Sequence, residues 1–145
     1  MTSDAERWAC DTSVAIAALD PSHEGHAVSR RALLRRRPAL AGHAAFETYS
    51  VLTRLPLPLR LRPEQAVQVL TSAFPEPCWL DGDGTGHLWS SMAELGVVGG
   101  AAYDSLVGAA ARANGRRLLT RDRRAERTYR SVGVDYVFVD EVDSG

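Results

Sequence analysis

The sequence predicts an α/β domain in which a central, mostly parallel sheet of four to five short strands is covered by helices on both faces. Three observations lead there. Short apolar runs alternate with longer segments of helical spacing along the whole chain. Acids stand immediately after two of those runs, at the carboxyl ends of strands where ligands bind in such folds. The 145 residues, 45% of them hydrophobic, suffice for a single core, so residues 1–145 are expected to form one domain.

Arg7 to Cys10 is the first strand, ending at Asp11. Asp11, Thr12 and Ser13 all cap well, and the helix they open carries Val14, Ile16, Ala17 and Leu19 before Asp20-Pro21 breaks it. Ser22 is expected to cap a second helix that runs to about Arg37 and is closed by Pro38. Ala39 to Ala41 is a short buried strand, and a helix follows from about Ala44 to Leu55. The prolines of Pro56–Pro63 make a connection, with Pro63 opening a helix to about Ala73. Cys78, Trp79 and Leu80 read as another strand, the glycine-rich DGDGTG as a loop, and Thr85 to Leu95 as a helix. After Gly99-Gly100 comes a helix with Leu106, Val107, Ala110 and Ala111 on its buried face and Asn114-Gly115 as its stop. Arg117 to Thr120 is a strand, Asp122 caps a last helix through Val132, and Tyr136 to Val139 closes the sheet. Trp8, Trp79 and Trp89 are assigned to the core.

All seventeen basic residues are arginine. A chain without lysine is not a phosphate-loop nucleotidase, a Schiff-base enzyme or a lysine-dependent receiver domain. The net charge of −1 hides segregation: Arg30, Arg31, Arg35, Arg36 and Arg37 form a run free of acids, and eight arginines lie between Arg112 and Arg130, whereas Glu76 to Asp104 and Asp135 to Gly145 hold acids and no base. Cys10 and Cys78 stand far apart, no apolar run nears the roughly 20 residues of a membrane span, and MTSDAER lacks the order of a secretory signal. A cytoplasmic protein with no membrane segment is expected.

Asp11 and Asp122 follow strands, while Glu47 and Asp104 lie near the starts of helices that return to the same sheet edge. Any one of them has a plain reading, as a helix cap for the aspartates and as an exposed helical acid for Glu47. Together they crowd four anions, a cluster that divalent metal neutralises, and oxygen-only ligands point to Mg²⁺ or Mn²⁺.

Three blocks, CDTSVAIAAL, FETYSVLTRL and YDSLVGAAARANGRRLLTRD, make the chain resemble PIN-domain ribonucleases, and within them the VapC-type toxins of toxin–antitoxin pairs. The third block is the most specific, matching D-S-L-V-x-A-x-A-x-x-x-G-x-x-L-L-T-x-D from Asp104 to Asp122. The resemblance implies a PIN-like three-layer α/β/α sandwich and a Mg²⁺- or Mn²⁺-dependent endoribonuclease with Asp11, Glu47, Asp104 and Asp122 as its catalytic and metal-holding acids. Ser13 and Thr120 match hydroxyl positions that orient those carboxylates. Arg121, Arg123 and Arg124, which flank Asp122, either contact RNA or form salt bridges. Further implications are a VapB-like antitoxin lying across grooves left by the early helices, a homodimer, and structured RNA, tRNA or rRNA, as substrate. Ala125 departs from the family, which often has a larger apolar residue there. A silent PIN-like module that binds RNA or protein without cutting is the rival reading. An aspartate-nucleophile phosphatase is disfavoured, since Ser13 stands where a second aspartate is needed.

Overall fold

Four strands, each too short to be stable alone, assemble by burial on both faces. The computed structural model describes residues 6–142; the acidic opening Met1–Ala5 and the closing Asp143–Gly145 lie outside the described residues. β1 (Trp8–Cys10), β2 (Ala39–Leu40), β3 (Arg117–Thr120) and β4 (Tyr136–Phe138) form one sheet in the order β2-β1-β3-β4, every pair parallel. Parallel neighbours need long crossovers, and helices supply them. α1 (Thr12–Leu19) and α2 (His26–Arg36) link β1 to β2; α3 (Ala44–Leu52), α4 (Pro63–Ala73), α5 (Gly82–Leu95) and α6 (Ala101–Ala113) lead to β3. A 3-10 turn at Arg123–Ala125 and α7 (Glu126–Val132) lead on to β4, and α8 (Val139–Val142) follows.

Leu118 and Leu119 are successive on β3, so they point to opposite faces, and both are completely buried. The two faces are covered by different helices: α1 packs on β3 with α2 and α3 beside it, and α6 packs on β3 with α5 and α7. The expected α/β sandwich is therefore present, with its sheet wholly parallel. Strand order reverses between β1 and β3, because the chain steps from β1 to one side and returns on the other. Asp11 and Asp122 stand just past the ends of these two strands, at the switch point where such sheets bind ligands.

Several local expectations are corrected. Cys78 to Leu80 is no strand: the Cys78 carbonyl accepts from Gly42 N (2.8 Å), while the Trp79 carbonyl is taken by Asn114 Nδ2 (3.0 Å), so a side chain holds the segment in place of a ladder. DGDGTG is the first turn of α5, because Asp81 caps it by accepting from Gly84 N (2.7 Å). Ser22 does not cap α2; its amide and hydroxyl both bond to Asp20 Oδ1, and the helix begins four residues later. α3 ends at Leu52, short of Leu55. Of the tryptophans only Trp8 is core, with Arg36 and Arg117 guanidinium groups over its ring at 4.7 and 4.9 Å; Trp79 and Trp89 are 53% and 79% exposed.

Candidate active site

The β1 chain leaves the sheet at Asp11, which caps α1 with Oδ1 accepting from Val14 N at 3.3 Å. Helix caps usually face water, but Asp11 is 4% exposed. Burial pushes its carboxyl above the ordinary range, opposed by Ser13 Oγ (2.6 Å), Thr120 Oγ1 (2.5 Å), Tyr129 OH (2.7 Å) and the Val14 amide. Three hydroxyls thus hold one buried carboxylate in a single orientation. Two of them also reach backwards. Ser13 Oγ accepts from Arg121 N (2.8 Å) and Thr120 Oγ1 from Asp122 N (3.0 Å), so the start of α1 and the turn after β3 are fastened together through the Asp11 side chain.

Asp122 stands on that turn and caps it, Oδ1 accepting from Arg124 N at 3.0 Å. Asp104 is the fourth residue of α6, which begins after Gly100, so it is not a cap. Burial raises its pKa from 3.8 to about 6, and the charges of Asp122, Glu47 and Asp11 add to the rise in that order. One carboxyl sensing the other three is the electrostatic sign that all four acids share one locality. Glu47, likewise the fourth residue of its helix, accepts from Thr12 Oγ1 at 3.2 Å and lies 3.3 Å from His43 Nε2 through its other oxygen. The first turns of α1, α3 and α6 all face this locality, and their dipoles offset part of the crowded negative charge.

Residues 9–131 match the PIN domain family. Ribonuclease VapC27 of Mycobacterium tuberculosis (strain ATCC 25618 / H37Rv) is 47% identical over 129 residues, covering 89% of this chain and 94% of the relative. Ribonuclease VapC40 of Mycobacterium tuberculosis (strain CDC 1551 / Oshkosh) is 46% identical over 131 residues, covering 89% and 96%. The chain belongs to the PIN-domain family, among the VapC ribonucleases.

The acids of this PIN domain fit Mg²⁺ or Mn²⁺ by donor chemistry: every candidate ligand is a carboxylate oxygen, and the Asp104 carboxyl is raised first by burial and then by neighbouring acids whose charge a divalent cation would offset. Among the described residues no three His, Cys, Asp or Glu side chains close into a ready cage. Mg²⁺ does not require one, since it keeps several waters and is held through one or two carboxylates.

Sequence reasoning missed four side chains here: Thr12, His43, Tyr103 and Tyr129. Tyr129 had a signal, because Ala125, Tyr129 and Val132 recur at i, i+4 and i+7 and all are buried, and a buried tyrosine hydroxyl seeks a partner. Burial and the Asp11 charge push its phenol far above the ordinary value, so it stays a donor. His43 and Tyr103 had none; their rings stack at 4.7 Å between centroids, 17° from parallel. Ala125, 1% exposed, shows that the small residue at the departing position sits in well-covered core of the PIN domain.

The arginines divide. Arg116, with a side chain 3% exposed, donates to Trp8 O (2.9 Å) and Glu76 Oε2 (2.6 Å) and draws the Glu76 carboxyl below its usual range. Arg112 holds Val132 O, Arg117 pairs with Glu6 and Asp135, and Arg130 lies 3.7 Å from Glu126. Arg123 bonds Asp140 (3.2 Å) and lies over Phe138 at 4.0 Å. The Arg121 guanidinium lies against Gly25, where an added Cβ would meet it at 2.5 Å. Arg124 is 96% exposed, its Nε 3.7 Å from Asp122 Oδ1.

Proposed function

We propose that this chain is a Mg²⁺- or Mn²⁺-dependent endoribonuclease, the toxin of a VapBC-like type II toxin–antitoxin pair, which inhibits translation by hydrolysing phosphodiester bonds of structured RNA, tRNA or rRNA. The convergence of Asp11, Glu47, Asp104 and Asp122 at the β1–β3 switch point carries the reading. Relatives 46–47% identical and named ribonucleases support it.

Asp104, Asp122, Glu47 and Asp11 would hold the ion, which supplies a Lewis acid for phosphodiester hydrolysis when bound. The chain's own groups do the positioning. Ser13, Thr120 and Tyr129 hold Asp11 still, and Thr120 ties it to the Asp122 backbone, so the two strand-end acids keep one spacing. Thr12 and His43 do the same for Glu47. Of the three arginines beside Asp122, Arg124 is the one directed to solvent and is assigned the phosphate contact; Arg123 secures α8 and Arg121 covers Gly25. The groove beside α2 and α4, where Leu19, Leu33, Leu61, Val69 and Ala73 stand among Arg30, Gln65, Gln68 and Ser72, is assigned to an antitoxin helix. A homodimer and a cytoplasmic location complete the reading; among the described residues no helix is long and apolar enough to cross a membrane.

The test is cleavage of total RNA and of tRNA and rRNA fragments with Mg²⁺, Mn²⁺ or chelator, beside Asp11→Asn and Asp104→Asn. Wild-type cleavage that chelator abolishes and that falls at least about a hundredfold in each variant is expected, as ligand loss should exceed the 10–100-fold typical of groups behind the ligands. Equal activity in all three proteins would overturn the assignment. Folded wild type that binds RNA and cuts none would establish the silent module instead.

A further inference from the structure

Beside the acids lies an aromatic surface that holding a metal does not call for. The His43 ring is anchored by Glu47 at 3.3 Å and stacks nearly parallel on Tyr103, which precedes Asp104 in the chain and is 52% exposed. A half-exposed tyrosine backed by a second ring is a rigid flat surface whose ordering is already complete before anything binds. One turn along α3 from His43, Phe46 is 66% exposed and meets Trp79, itself 53% exposed, at 6.0 Å. Tyr103, Phe46 and Trp79 are large aromatics left in water that belong neither to the core nor to the acid cluster. Every nucleobase has a π-face, and stacking on such rings is how single-stranded RNA loops are held when their bases splay out.

We infer that the exposed Tyr103 ring, backed by His43, is a stacking platform for an unpaired nucleobase flanking the scissile phosphate. The inference rests on the ribonuclease reading and deepens it: the platform selects unpaired loops over duplex, because a base within a helix has both faces covered. Its partner class is nucleobase, of any identity. Tyr103 and His43 are positioning residues for RNA, one ring supplying the surface and the other fixing its tilt.

The experiment is a cycle of protein variants against substrate variants. On an RNA that wild type cuts, Tyr103→Leu should lower kcat/KM about tenfold, the ~1.4 kcal/mol of one stacked base, with the change chiefly in KM, and Tyr103→Trp should restore it. Abasic sites are then placed in turn at the nucleotides beside the cut. At one of them wild type should lose about tenfold and Tyr103→Leu nothing further. If wild type cuts RNA and Tyr103→Leu matches it, or if the losses from abasic site and variant simply multiply at every position, the platform is overturned while the ribonuclease stands. A Tyr103→Leu chain whose sedimentation shows altered self-association, with RNA turnover tracking it, also overturns the platform and makes this face a contact between copies. Wild type that cuts no RNA under any metal condition removes the ribonuclease reading and the platform with it.

Discussion

Asp11 is the best-connected acid of the site, and its neighbours carry separable consequences. Tyr129→Phe removes one hydroxyl from a buried carboxylate and should lower stability by about 1–3 kcal/mol at pH 7, read by urea unfolding. Thr120→Val removes both a donor to Asp11 and an acceptor for Asp122 N, so cleavage or metal affinity should fall roughly 10–100-fold while Thr120→Ser keeps most of both. Asp104 predicts a pH signature. Its folded pKa of about 6 lies above the ordinary 3.8, so between those values the folded, metal-free protein holds a proton that the unfolded chain has released. Stability should therefore fall as pH rises through that window and stay lower above it, and Asp104→Asn should flatten the fall in melts with chelator. A wild type and variant with parallel pH curves would contradict the cluster.

Helix packing around the site is close where α6 meets α7. A Cβ at Gly108 would come within 2.7 Å of Val132 Cγ2 and 3.2 Å of the Tyr129 ring, neither of them a flexible chain end. Although alanine is the better helix former, Gly108→Ala should destabilise by about 1–3 kcal/mol, because β-branched Val132 cannot swing aside without disturbing the ring that bonds Asp11. Combined with Val132→Ala it should cost less than the two single changes together, a coupling that urea unfolding of the four proteins measures. Elements were legible where local cues act. Asp11, Pro63 and Asn114-Gly115 mark helix ends within a residue or so, since caps and breakers work through neighbouring backbone groups. Cys78–Leu80 was not, because a short apolar run becomes a strand only if a neighbour offers it a ladder, and here the Asn114 side chain takes its carbonyl.

Across the whole molecule, charge is arranged more than it is balanced. Six of the eight arginines from Arg112 to Arg130 pair with carbonyls or acids of the same chain, and Arg124, 96% exposed beside Asp122, is the one assigned to a phosphate. The carboxylate cluster keeps its self-repulsion until a cation binds. Titrating Mg²⁺ should raise the melting temperature of wild type, by the equivalent of about 2.7 kcal/mol at a hundredfold excess over the dissociation constant, and of Asp104→Asn much less. An unchanged melting temperature in wild type would count against the acids as a metal centre.

By itself the sequence determined the alternation of strand and helix and the strand-end positions of Asp11 and Asp122, because periodicity and caps are local properties of the chain, while the roles of Ser13 and Thr120 came from the family resemblance. Only the tertiary structure decided that Tyr129 bonds Asp11 across 118 positions, that Arg116 reaches Trp8 across 108, and that His43 meets Tyr103. Those partners are chosen by how the crossovers stack helices on the sheet, and no local pattern records which side chains that stacking brings face to face.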